Sequence, residues 1–145
     1  MSARLDGDVL TAERRLPAGP ERVWAAFTSP AGIAAFWGGS HATVPPGSVA
    51  VDLRPGGEFG LDTRAPDGAT RRLRFVYVRV AAPHELVFDE PLTGIRTTVA
   101  LRADGDGTWL TIRQFRLPPE LRSARAAGGL DAILDALAAH LHRTS

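Results

Sequence analysis

The sequence predicts an α+β fold in which an antiparallel sheet of about six to seven strands curves around one long C-terminal helix. Three observations predict it. Between Val49 and Phe115, short alternating runs are separated by turn signals, the pattern of sequential strands joined as a meander. Beyond Gly128-Gly129 the period changes: Leu130, Ile133, Leu134, Leu137 and Leu141 fall on one face of a helix. A sheet with one apolar face and a helix with one apolar stripe each need a cover, and each can supply the other's.

The elements follow in order. Val9 to Leu16 reads as a first strand, with Leu10, Ala12, Arg14 and Leu16 opposite Val9, Thr11, Glu13 and Arg15. Gly19-Pro20-Glu21 is a helix start: Gly is an acceptable cap, Pro suits the first helical position and Glu complements the positive helix end. Val23, Trp24 and Phe27 form the stripe of a short helix over 20–28. Ser29-Pro30 repeats the cap, and a second short helix ends near Phe36-Trp37, stopped by Gly38-Gly39. Next comes a hairpin, with Val49, Val51 and Leu53 before Arg54-Pro55-Gly56-Gly57 and with Phe59 and Leu61 after it. Pro55 presets φ for the first corner of a type II turn, and Gly56 supplies the positive φ of the second.

Further strands are expected over 59–63, 71–80, 86–89, 95–102 and 108–115, separated by turns such as Pro66-Asp67-Gly68 and Asp104-Gly105-Asp106-Gly107. In the 71–80 strand, Leu73, Phe75, Tyr77 and Arg79 share the face placed inward. The last helix is expected to start near Pro118 and run to about Arg143. Gly128 and Gly129 lie inside it at about 1 kcal/mol each against Ala, which suggests a close approach to another surface or a break into two helices.

The 145 residues suit a single domain, 1–145, burying about 70% of the unfolded chain's surface. A net charge of +1 gives no electrostatic case for nucleic acid or an anionic membrane. Every basic residue other than His is Arg, the mark of GC-rich coding. Without Cys, thiolate chemistry and disulfides are excluded. No apolar signal core opens the chain and no run approaches a membrane span, so the cytoplasm is the expected location. The chain reads as a monomer or a homodimer, with no cofactor signature.

Candidate chemistry is sparse. His140 and His142 diverge around a helix, His84 sits in a turn, and His41 follows Gly38-Gly39 near the expected cavity mouth as a loop residue or a general base. Glu58 is expected in solvent or paired with Arg54, and Asp89 and Glu90 are expected in solvent at a strand end. Tyr77, the only Tyr, is either a satisfied core residue or a ligand anchor. Tyr77, His41 and Glu58 are the candidates for moving protons. No Ser lies in a nucleophile elbow. Trp37, Phe59, Phe75 and Phe88 are candidate pocket aromatics. From neighbouring strands come Thr97 and Val99, then Leu110, Ile112 and Gln114. Leu130, Ile133, Leu134 and Leu137 face them from the last helix.

Three motifs carry a resemblance. Pro17-Ala18-Gly19-Pro20-Glu21-Arg22-Val23-Trp24 is followed by Thr28-Ser29-Pro30 and Phe36-Trp37. Asp52-Leu53-Arg54-Pro55-Gly56-Gly57-Glu58-Phe59 forms the hairpin. Ala82-Pro83-His84-Glu85-Leu86-Val87-Phe88 leads into a central strand. In this order they resemble the SRPBCC superfamily of START-like proteins, which share the helix-grip fold of the birch-pollen allergen. Within it they resemble the branch of activators of the heat-shock-chaperone ATPase. The resemblance implies a cavity between sheet and helix holding a hydrophobic small molecule of aromatic or polyketide type. It implies a role in natural-product biosynthesis or in enediyne-type self-resistance by sequestration, or else a polyketide cyclase or hydrolase, or a co-chaperone stimulating a chaperone ATPase. Gly129-Leu130 stands where the branch commonly has Gly-Trp, which implies a larger or differently shaped cavity.

Overall fold

The sheet joins the chain's first long strand to its last. In the computed structural model, which describes residues 3–39 and 42–144, eight antiparallel strands form one sheet. They are β1 (Arg4–Asp6), β2 (Val9–Leu16), β3 (Ala50–Val51), β4 (Glu58–Arg64), β5 (Thr70–Ala81), β6 (Glu85–Asp89), β7 (Arg96–Asp104) and β8 (Gly107–Phe115). Their order is β1-β2-β8-β7-β6-β5-β4-β3. The meander from β3 to β8 is therefore continued by β2, in register from Leu10↔Gln114 to Leu16↔Thr108. The short helices α1 (Pro20–Thr28) and α2 (Pro30–Phe36) and the long α3 (Ala124–Arg143) complete the fold.

Alternation sets the inner face. Leu10, Ala12 and Leu16 of β2 are buried with Leu110 and Ile112 of β8, Val99 and Leu101 of β7, and Leu86 and Phe88 of β6. From α3, Leu130, Leu134, Leu137 and Leu141 join the same core, as the 3.6-residue stripe requires. Arg14 also lies on the inner face and reaches Asp135 of α3 at 2.5 Å. Arg22 of α1 donates to the Leu141 carbonyl at 3.0 Å and to the Thr144 hydroxyl at 2.8 Å, placing a cation at the negative end of α3.

The Arg54-Pro55-Gly56-Gly57 corner is a turn closed by Gly57 N–H donating to Arg54 C=O at 2.8 Å, with Gly56 at φ 82°. It does more than link β3 to β4. Gly56 N–H donates to Tyr77 C=O and Tyr77 N–H donates to Gly57 C=O, each at 2.8 Å, so the corner extends the β4 edge along β5. A Cβ on Gly57 would collide with the Asp52 carbonyl.

Four expectations need correction. Glu58 does not pair with Arg54. Arg54 is held by Asp52 at 3.0 Å, whereas Glu58 takes a two-pronged ion pair from Arg74 at 2.6 and 2.7 Å. The reason is register: Glu58 stands across from Val76 on the outer face, diagonal to Arg74. Arg79 does not share the inner face with Tyr77. A bulge between Tyr77 and Arg79 flips the alternation, leaving Val78 exposed and Arg79 outside in an ion pair with Glu85. The last helix begins at Ala124 rather than near Pro118, because Pro119–Leu121 forms a separate 3-10 turn and Ser123 caps the helix by accepting from Ala126 N–H. It is also unbroken, and a Cβ at Gly128 or Gly129 would meet no described atom within 4 Å, so neither glycine marks a close approach.

β1 was not anticipated. Asp6-Gly7-Asp8 is its signal: Gly7, at φ 62°, opens the two-residue turn that pairs Asp6 with Val9.

Candidate functional site

A partly enclosed cavity of about 200 Å³ lies between the inner face of the sheet, the α1–α2 pair and α3. Its sheet wall holds Phe75 of β5, Phe88 of β6, Thr97 and Val99 of β7, and Ile112 and Gln114 of β8. Leu130 and Ile133 close it from α3, while Phe27, Phe36 and Trp37 close it from the short helices. The sequence places them there by period: strand residues two apart share a face, and Leu130 and Ile133 are one helical turn apart.

The aromatic wall is a packed cluster. Trp37 meets Phe75 at 5.3 Å and Phe59 at 5.6 Å, both edge to face. Phe59 stacks on Phe75 at 4.6 Å, and Phe88 meets Phe75 edge to face at 5.4 Å. Such contacts fix ring positions beyond what area burial does. Phe59 thus stands behind Phe75 and supports the wall without lining the cavity.

Among the described residues, the polar lining is one cross-strand pair. Thr97 and Gln114 stand directly opposite each other, with Gln114 Nε2 donating to Thr97 Oγ1 at 3.5 Å. That distance is long for a hydrogen bond, so both side chains keep capacity for another partner. An amide offers a donor and an acceptor, and a hydroxyl can act as either.

The remaining candidates lie elsewhere. Leu110, Leu134 and Leu137 are buried in the core away from the cavity. Tyr77 is 1% exposed, packs on Phe59 at 5.1 Å, and does not line the cavity. Its hydroxyl is buried with no hydrogen-bond partner among the described residues. Burial first, and the charge of Asp52 second, hold it protonated well above the ordinary Tyr range. Glu58 lies on the outer face, and its hydrogen bond from Arg74 lowers its pKa. His41 falls outside the described residues. Nor are Asp89 and Glu90 simply solvated. Arg96 grips Asp89 at 2.8 and 2.9 Å and lowers its pKa, and Glu90 accepts from Thr93 N–H at 2.6 Å and from its hydroxyl at 2.7 Å.

Sequence reasoning missed Phe27 and Phe36 as wall residues. Phe27 had a signal, the Val23–Trp24–Phe27 stripe, but that stripe does not say which of its members meets a void. Among the described residues, no group of three or more His, Asp or Glu could hold a metal ion, and no helix is long and apolar enough to cross a membrane.

Residues 17–142 match the family described as Activator of Hsp90 ATPase homolog 1-like protein. No curated protein matches the chain. Solved structures of similar shape include protein NE0264 from Nitrosomonas europaea, 20% identical with a TM-score of 0.84 over 97% of this chain and 98% of that one. The Q3J4M4_RHOS4 protein from Rhodobacter sphaeroides is 25% identical, with a TM-score of 0.83 over 99% and 98%. An AHSA1-like protein from Aeromonas hydrophila is 25% identical, with a TM-score of 0.79 over 92% and 93%.

Proposed function

The chain belongs to the Activator of Hsp90 ATPase homolog 1-like family, and on that premise we propose that it binds a small apolar, ring-containing molecule bearing one polar group. The observation that carries this reading is the cavity of about 200 Å³ with aromatic and aliphatic walls and, among the described residues, one Thr97–Gln114 polar pair. Few well-placed polar groups in an apolar pocket are the usual composition of a ligand site. An apolar cavity of about 150 Å³ takes benzene, so this one suits a fused two-ring body. A larger polycyclic natural product needs the cavity to widen. The setting we favour remains sequestration of an aromatic natural product.

Binding without turnover is supported by where the two described proton-moving candidates, Tyr77 and Glu58, stand. Tyr77 is sealed beneath Phe59 and held protonated, and Glu58 is tied to Arg74 on the opposite face of the sheet. Neither faces the cavity. The co-chaperone reading draws on the family description alone.

The test compares 2-naphthol with naphthalene by amide chemical shifts. Both should shift residues around Phe88, Thr97, Ile112 and Ile133. Gln114→Ala should weaken 2-naphthol about tenfold while leaving naphthalene within about twofold, the effect of one lost hydrogen bond. Failure of 2-naphthol at millimolar concentration and of naphthalene up to its solubility limit to shift these residues would overturn the reading.

A further inference from the structure

The two ends of α3 are attached very differently. From Leu130 onward, buried leucines recur every turn to Leu141. From Ala124 to Gly129 no residue is buried, and apart from Arg125 no side chain exceeds a methyl group. Open grooves flank this first stretch on both sides. One, of about 460 Å³, runs between it and β1, lined by Ala3, Leu5, Ala127 and Gly128. The other, of about 800 Å³, separates it from the β4–β5 turn, lined by Ala65, Pro66, Ala126 and Gly129.

The segment is nevertheless fixed at both ends. Leu117, just after β8, is buried and its N–H donates to Asp8 C=O at 3.0 Å. Leu130 is buried at the other end, and the next residue, Asp131, accepts from Ala3 N–H at 2.8 Å. Between these anchors, residues 118–129 are held by the Ser123 cap, by Arg122 donating to Leu117 C=O at 2.8 Å, by helical hydrogen bonds, and by the methyl group of partly buried Ala127 packed against the core. Gly128-Gly129 sits where the loosely held turns meet the anchored ones. Among the described residues no contact requires either glycine, since a Cβ there would meet no described atom within 4 Å. Two glycines that no described contact requires raise the cost of keeping those turns helical. The next residue, Leu130, is a wall of the cavity.

We propose that residues 118–129 form a strap that unwinds at Gly128-Gly129 to admit ligand to the cavity. This rests on the cavity-binding reading above. Entry through a local opening makes the opening step part of both association and dissociation. A change that stabilises the closed strap therefore slows both rates and leaves affinity nearly untouched.

The experiment uses the full chain and two readouts. Native-state hydrogen exchange, without ligand, should show the amides of residues 127–130 exchanging at least a hundredfold faster than those of Leu134, Leu137 and Leu141. Gly128→Ala with Gly129→Ala should slow exchange of that segment about ten- to thirtyfold. Line-shape analysis of a 2-naphthol titration should then show entry and exit slowed together by a similar factor, with the dissociation constant within about twofold. Ala139→Gly, an exposed site in the anchored part, lowers helix propensity without touching the strap and should leave both rates unchanged. The strap is overturned if residues 127–130 are protected as well as Leu137, or if the double alanine variant leaves the rates as they are. Absence of 2-naphthol binding would instead overturn the cavity reading, and the exchange data would still decide the strap.

Discussion

Within one helix, α3, the fourteen residues from Leu130 to Arg143 carry the buried leucines of the core, while the six residues from Ala124 to Gly129 bury none fully and pack only a partly buried Ala127 against it. Both stretches are regular helix with an intact hydrogen-bond ladder. The difference lies in what the side chains bury. Leu134, Leu137 and Leu141 are buried beside the sheet, whereas Ala124 and Gly128 face solvent. Helical geometry by itself therefore says little about local stability; tertiary burial supplies most of it.

The sharpest way to break this comparison is Leu137→Ala. A fully buried leucine in a filled core should cost about 2–5 kcal/mol, read as a fall in the urea midpoint, while Arg125→Ala in the first stretch should stay within about 0.5 kcal/mol. Similar losses from the two substitutions would erase the distinction between the halves.

Tyr77 comes next, as a buried residue on the sheet side whose burial is incomplete in its chemistry. Its hydroxyl has no partner among the described residues, so Tyr77→Phe should leave stability unchanged or raise it by up to about 1 kcal/mol. A loss larger than 1 kcal/mol on thermal unfolding would show that the hydroxyl is hydrogen-bonded in solution.

The smallest effect belongs to the outer face. Asp89 has its pKa lowered by the Arg96 hydrogen bond and then by the charges of Arg96 and Arg116. A carboxyl more acidic in the folded than in the unfolded chain stabilises the fold above its unfolded pKa. That contribution is lost as pH falls through the lower folded value. Both partners are partly exposed, so screening keeps the contribution at about 0.5 kcal/mol or less. Asp89→Asn should thus lower the melting temperature slightly at pH 7 and by less at pH 2. An equal loss at both values would rule out the ion pair as the cause.

Much of this was legible locally. The Gly56 corner followed from turn chemistry, and the inward placement of Phe75 followed from strand alternation. The α3 stripe followed from the helical period. Phe75, Phe88, Thr97 and Gln114 could be named as candidates because alternation puts each on an inner face. It could not separate them from Leu110 or Phe59, which share that face and fill space. Whether an inward residue meets a neighbour or a void depends on the volumes of residues far away in sequence, such as Phe27 and Phe36 on the short helices.

By itself, then, the sequence determined the kind and order of the elements and which face of each is apolar, because propensity, capping and periodicity act over a few residues. Tertiary structure alone decided that β2 pairs with β8, that a bulge turns Arg79 outward, that Glu58 belongs to Arg74, and that the gap opens beside Leu130. Those outcomes depend on register and on leftover volume, which exist only once distant segments have packed together.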